Sequence, residues 1–176
     1  MRSREFSPPN CEVVIIAHNI RSIMNVGSIL RTAEGFGVAQ VFATGYTPHP
    51  GSGLPHVQAK LAKQLKKTAL GAEGIVDFRS APDVTELMQQ LNSDGFCIVG
   101  LEQDPRAIAL PDYSHKLRSC KIALLIGEEV NGLTPELRDA CDDLVEIPMF
   151  GQKESFNVSV ATGIVLYHLI ATQSAP

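Results

Sequence analysis

Between residues 121 and 170 the chain twice delivers a short apolar run into a glycine-containing loop, and this pattern restricts the possible fold more than any other feature. The first run, Ile122-Ala123-Leu124-Leu125-Ile126, leads into Gly127-Glu128-Glu129-Val130-Asn131-Gly132-Leu133 and then a short helix signal, Thr134-Pro135-Glu136-Leu137. The second, Leu144-Val145-Glu146-Ile147-Pro148, leads into Met149-Phe150-Gly151-Gln152-Lys153 and then Glu154-Ser155-Phe156-Asn157 at the head of a long helix. Apolar runs this short, bounded by turn residues, read as buried strands. In open α/β sheets ligands bind beyond the carboxyl ends of strands, where glycine lets backbone approach closely. These two loops are therefore the first candidates for a cofactor cleft.

The remainder of the chain repeats the alternation. Residues 12–17 form a β-branched run read as a buried strand. Val26, Ile29, Leu30 and Ala33 then recur at helical spacing, with Asn25 placed to cap the helix and Gly35 and Gly37 to end it. A strand is expected over 38–44, a Pro/Gly-rich loop over 45–55 and a helix over 58–70 with Leu61 and Leu65 facing inward. A short strand over 74–78, a helix over 82–92 with Pro82 in its first turn and a strand over 96–101 follow. Residues 102–119 are irregular, with one short helix at most, and a last helix is expected over 157–172 on the stripe Val158, Ala161, Val165, Leu169. The fold class is α/β: a mostly parallel sheet with helices on both faces. A short tail over 1–11 precedes one domain over 12–176.

With 176 residues and 44% hydrophobic content, one compact core is available. The net charge is −4, but it is unevenly spread. Basic residues outnumber acidic ones before residue 82, and acidic ones dominate after it, so a nucleic-acid footprint belongs on the N-terminal half. Lys60, Lys63, Lys66 and Lys67 form a basic stripe on the expected helix. Cys11, Cys97, Cys120 and Cys141 are scattered, which suits buried, reduced thiols and neither a zinc site nor a disulfide framework. His49 and His56 have no further ligands nearby and read as exposed loop residues, so no metal is expected. The polar N-terminus lacks a signal-peptide core and no apolar run has membrane-spanning length, which points to a cytoplasmic protein without a membrane partner.

Standard nucleotide signatures are missing: there is no G-x-G-x-x-G after the first strand and no G-x-x-x-x-G-K-[ST]. The chain carries instead three ordered blocks. They are Asn25-x-x-x-x-x-Arg31, Gly127-x-Glu129-x-x-Gly132-Leu133, and Ile147-Pro148-Met149 with Ser155-x-Asn157-Val158-Ser159-x-Ala161. Together they resemble the three motifs of the SpoU/TrmH-type branch of the SPOUT RNA methyltransferases, across roughly residues 12 to 172. The resemblance implies a deep C-terminal trefoil knot, a homodimer, S-adenosylmethionine as methyl donor and methylation of a ribose 2′-hydroxyl in RNA.

By that resemblance the catalytic set is Arg31, Asn25, Ser155, Asn157 and Glu129. Arg31 would clamp phosphate and stabilise a developing alkoxide, since a guanidinium is a poor base. The cofactor would lie against Gly127, Glu128, Ile147, Met149, Phe150, Ser155 and Asn157, and RNA would meet Arg21, Arg31, Lys60, Lys63, Lys66 and Lys67. Glu128 stands where the family often has a small polar residue, Val130 where glycine is frequent and Phe156 where leucine is usual. Only about ten residues precede the first strand, so no accessory RNA-binding domain is expected there, and a compact dimer of this kind favours transfer RNA over ribosomal RNA. The rival reading is a catalytically silent RNA-binding or assembly protein with the same fold; a third is a related enzyme acting on a base.

Overall fold

A computed structural model describes residues 11–51, 53–116 and 121–171; the tail over 1–10, Cys120 and Thr172 lie outside the described residues. The elements, in chain order, are β1 (Glu12–His18), α1 (Ile23–Gly35), β2 (Gln40–Thr44), α2 (Pro55–Ala69), β3 (Asp77–Ala81), α3 (Val84–Ser93), β4 (Cys97–Leu101), β5 (Ile108–Ala109), β6 (Lys121–Ile126), α4 (Pro135–Asp139), β7 (Asp143–Glu146) and α5 (Val158–Leu166). The strands form one seven-stranded sheet in the order β3-β2-β1-β6-β4-β7-β5. Every pairing in it is parallel. Successive side chains on a strand point to opposite faces, and the core divides accordingly. Val13, Ile15 and Ala17 of β1 join Ile122, Leu124 and Ile126 of β6 in one layer with α1 and α5. Val14 and Ile16 join Ala123 and Leu125 in the other, with α3 and Leu137 of α4. Both faces of the central strands are buried, which is why their sequences are apolar throughout.

Where the elements depart from the sequence reading, local hydrogen bonding gives the reason. Helix α1 is capped by Ser22, not Asn25: the Ser22 hydroxyl accepts the Asn25 amide at 3.3 Å, and the Asn25 side chain is left for another partner. Helix α2 starts earlier than expected because Pro55, with its fixed φ, suits a first helical turn. Asp83 caps α3 by accepting the amides of Thr85 and Glu86, so Pro82 precedes that helix. The strand expected over 74–78 is displaced to β3, since Ala72–Gly74 closes a 3-10 turn and Ile75 is left 72% exposed. β3 is a polar edge strand, which hydrophobicity conceals. The last helix leaves α geometry after Leu166 and continues as a π turn over Tyr167–Ala171. Residues 102–116 contain the short strand β5 and a 3-10 stretch, Leu110–Lys116. Among the described residues no helix is long and apolar enough to cross a membrane.

The segment following β4 is anchored to α4 by charge. Asp104, whose side chain is only 5% exposed, accepts from Arg106 and Arg138, and Arg106 also reaches Asp139 at 2.7 Å. The Arg138 Nε is buried with no acceptor among the described residues. The Arg106 guanidinium holds the Asp104 carboxyl down to about 2. A depressed carboxyl contributes stability that is complete above its unfolded value, about 4, and is lost as pH falls to the folded one. Asp104→Asn is accordingly expected to be less stable than the parent near neutral pH, with the difference vanishing by about pH 2. Denaturant midpoints measured across that range by circular dichroism check it.

Candidate active site

Three adjacent strands, β6, β4 and β7, end at one cleft of about 260 Å³, just below the usual range of about 300–1,000 Å³ for small-molecule sites. The loop after β6 contributes Gly127, Glu128, Glu129 and Gly132, and the segment after β7 contributes Ile147, Met149 and Ser155. Leu101, Ile126, Val158 and Ala161 supply apolar walls. The segment after β4 also contributes, through Glu102 and Gln103, which the sequence reading missed. The rule that drew attention to the other two strand ends applies equally to Glu102, directly behind β4.

The β6 loop is held by unusually close backbone packing. Gly132 has φ +64 and donates its amide to the Glu128 carbonyl at 3.0 Å. The Glu102 carboxylate accepts the Leu133 amide at 2.5 Å and the Gln103 amide at 3.0 Å, and it occupies the space where a Gly132 side chain would begin. Gln103 in turn donates to the Glu154 carbonyl at 2.5 Å, so the β4 segment joins both loops of the cleft.

A hydrogen-bond chain links the three sequence blocks. The Asn25 amide donates to Glu129 Oε1 at 3.1 Å, and the Asn157 amide donates to Asn25 Oδ1 at 3.2 Å. Asn157 Oδ1 accepts the Ser159 amide at 3.0 Å as the N-cap of α5. The Arg21 backbone amide reaches Glu129 Oε2 at 3.3 Å. Burial pushes the Glu129 carboxyl up, but the hydrogen bonds from its own amide, Asn25, Arg21 and Ser22 outweigh this and leave it below the usual range. It is ionised at neutral pH and can only accept.

Glu128 does not place an uncompensated charge in the cleft. Its carboxylate pairs with Arg21 and accepts from Asn131 at 2.9 Å, contacts that hold it below the ordinary glutamate value, with Asn131 foremost. Arg21 also lies beside Tyr46, its Nε 3.5 Å from the hydroxyl. It is therefore engaged, and an RNA phosphate would have to compete with Glu128 for it.

Other expected site residues lie elsewhere. Phe150 is 97% exposed and, like Asn157, does not line the cleft; Asn157 reaches the site only through Asn25. Arg31 is exposed on α1, outside the lining, and makes no hydrogen bond or ion pair among the described residues. Arg21, Arg79, Arg106 and Arg138 are all paired with carboxylates. Lys60, Lys63, Lys66 and Lys67 are all exposed on α2. His49 is half-buried against Phe78 and not an exposed loop residue; His56 is exposed. Cys11, Cys97 and Cys141 are half-buried, and burial pushes the Cys141 thiol up to about 12, so it is unreactive. Among the described residues no three His, Cys, Asp or Glu side chains converge as a ligand set for a metal.

Comparison with known proteins bears on the family and the fold. The model of a family described as SpoU rRNA Methylase matches residues 12–167. A 23S rRNA (guanosine-2'-O-)-methyltransferase RlmB from Xanthomonas axonopodis pv. citri is 32% identical over 158 residues, covering 90% of this chain and 58% of that protein. A tRNA (guanosine(18)-2'-O)-methyltransferase from Aquifex aeolicus is 26% identical over 156 residues, covering 89% of this chain and 67% of that one. The chain thus spans under three-fifths of the first relative's length. An AdoMet-bound rRNA methyltransferase structure from Sinorhizobium meliloti superposes with a TM-score of 0.78 at 22% identity, over 93% of this chain and 57% of that one. That likeness establishes a shared fold.

Proposed function

The chain belongs to the SpoU rRNA Methylase family, and on that premise we propose that it transfers a methyl group from S-adenosylmethionine to a ribose 2′-hydroxyl in RNA. The observation that carries the proposal is the chain Glu129–Asn25–Asn157, which joins residues 104 and 132 positions apart at the rim of one cleft. A helix cap and a turn glycine taken singly need no function; the joining of Asn157 and Asn25 to Glu129, beside the loop that carries Gly127 and Gly132, is what supports one.

The cleft fits the cofactor. Its backbone at Gly127, Ile147 and Met149 and its apolar walls suit an uncharged adenosyl group. Glu102, Glu129 and Glu154 line it as well, and carboxylates suit a ligand with a sulfonium and an ammonium. When bound, S-adenosylmethionine supplies an activated methyl on a good leaving group. The protein's own task is then alignment and support of the hydroxyl oxygen as it loses its proton. Ser155 lines the cleft, where it would orient the ribose, and Asn157 would act from behind it by holding Asn25. Arg31, with no carboxylate partner among the described residues, is available to phosphate and to developing negative charge.

The two relatives' names both specify guanosine but divide between 23S rRNA and tRNA. We therefore propose a guanosine target, and the preference for transfer RNA drawn from compactness finds no support in them. A homodimer is proposed as well; exposed Met24 on α1, Val160 on α5 and Tyr167 beyond it are apolar surface that a second copy would cover. Threading of the segment that carries β6 and β7 into a trefoil knot belongs to the same proposal.

The deciding experiment is transfer of labelled methyl to ribosomal RNA and to transfer RNA, each from cells lacking this protein, followed by nucleoside mass spectrometry. Labelled 2′-O-methylguanosine is the expected product. Absence of cofactor binding by calorimetry, with RNA binding intact, would favour the silent RNA-binding reading instead. The basic row has its own test. Reversing Lys60, Lys63, Lys66 and Lys67 to glutamate should weaken RNA binding and flatten its salt dependence, by about 0.7 to 0.9 in log–log slope for each phosphate that the row neutralises. An unchanged slope would make the row only a solvated face.

A further inference from the structure

A second cavity, about 340 Å³, lies between the 45–54 loop, α2 and the edge strand β3. Its walls include Pro50, Ala62, Leu65 and Phe78, and Lys66 stands at its rim with Glu73 and Asp77. The His49 ring rests against Phe78 with centroids 4.7 Å apart. His49 Nδ1 accepts the Gly51 amide at 3.0 Å, so its proton sits on Nε2, which donates to the Phe78 carbonyl at 3.2 Å. With both nitrogens engaged, His49 is a fixed wall and not a base or a metal ligand. Asp77 is committed to Arg79 and Gln40. Glu73 uses one carboxylate oxygen on the Gly71 amide at 2.9 Å, which leaves the other as an acceptor.

The cavity adjoins the basic row. At about 3.6 residues per turn, Lys66 falls between the solvent-facing Lys60, Lys63 and Lys67 and the buried Leu65, so it belongs both to the row and to the cavity rim. The 45–54 loop also connects the cavity to the cleft. At its root the Thr47 hydroxyl donates to the Ala17 carbonyl at 2.8 Å and accepts the Ile20 amide at 3.0 Å, and the adjacent Tyr46 contacts Arg21 beside Glu128.

We propose that this cavity receives an unpaired nucleobase of the RNA, with Lys66 on its phosphate and Glu73 accepting from an exocyclic amino group. The inference rests on the reading of the chain as an RNA-modifying enzyme. An apolar cavity with an aromatic wall and a polar acceptor in its lining suits the way proteins read single-stranded bases. A bare phosphate would leave the apolar walls unused. Adenine and cytosine carry the amino group that Glu73 requires, and uracil does not.

The test is titration of protein carrying 13C-labelled Ala, Leu and Val methyls with the hexamers rA6, rC6 and rU6. Signals of Ala62, Leu65 and Val76 should shift with rA6 and rC6, at about tenfold lower concentration than with rU6. Ala62→Trp, which fills the cavity, should abolish the shifts at Leu65 and Val76. Glu73→Ala, at a half-exposed position, should erase the preference over rU6 while the protein stays folded. Cofactor calorimetry and methyl transfer to RNA are measured on the same wild-type preparation. Unmoved cavity signals in a protein that methylates RNA would overturn this inference alone. Loss of both cofactor binding and methyl transfer would overturn the reading beneath it.

Discussion

Gly127→Ala is expected to destabilise the protein by about 1–3 kcal/mol, the usual cost of overpacking a tight interior, and to abolish cofactor binding. A Cβ at Gly127 would lie 2.7 Å from the Gly132 carbonyl carbon, 2.8 Å from its oxygen and 2.8 Å from Leu133 Cδ2. The leucine could turn, but the peptide cannot easily retreat. Gly132 is bonded to the Glu128 carbonyl, and its neighbour Leu133 is bonded to Glu102. The substitution must therefore open the loop that lines the cleft. Denaturant unfolding should show a lower midpoint with an unchanged slope, and calorimetry should show no S-adenosylmethionine binding. A parental midpoint with intact binding would mean that the loop has room the geometry does not show.

Arg31→Ala should do the opposite: it should leave both stability and cofactor affinity at parental values and lower methyl transfer by at least about 100-fold, the scale of removing one charge-stabilising donor. The residue is exposed and unpaired among the described residues, so its loss strands no buried partner. It also lies outside the cleft lining, so the cofactor does not depend on it. Single-turnover rates with saturating RNA, beside calorimetry on the same variant, separate the two effects. Arg31→Lys should recover only part of the rate, because an ammonium cannot make the two-pronged contact with phosphate that a guanidinium makes. Unchanged turnover in Arg31→Ala would remove Arg31 from the mechanism.

These predictions draw on different levels of the molecule. The parallel sheet was legible because five-residue apolar runs alternate with helical periodicity, and the burial of Ile15, Leu124 and Val145 follows from that pattern directly. Edge elements were not so legible. β3 is polar and β5 has only two residues, so neither carries a hydrophobic signature; only their neighbours' exposed ladder groups define them. Capping was misplaced for a similar reason. Ser22 and Asn25 are both good caps, and the choice between them was made by Glu129, which engages the Asn25 side chain from 104 residues away.

The chain's order of residues therefore determined its layers, its three blocks and the identity of the loops that end at a cleft, because periodicity and glycine placement are local properties. Tertiary structure alone decided which side chains meet. It added Glu102 as the residue that fixes the Gly132–Leu133 backbone, paired Glu128 with Arg21 so that its charge is compensated, and left Arg31 outside the cleft and unpaired among the described residues. Hydrogen bonds and ion pairs form between groups within a few ångströms of each other. For Glu129 and Asn25, or Asn157 and Asn25, that proximity is created by the packing of α1 and α5 together on one face of the parallel sheet, and no spacing along the chain encodes it.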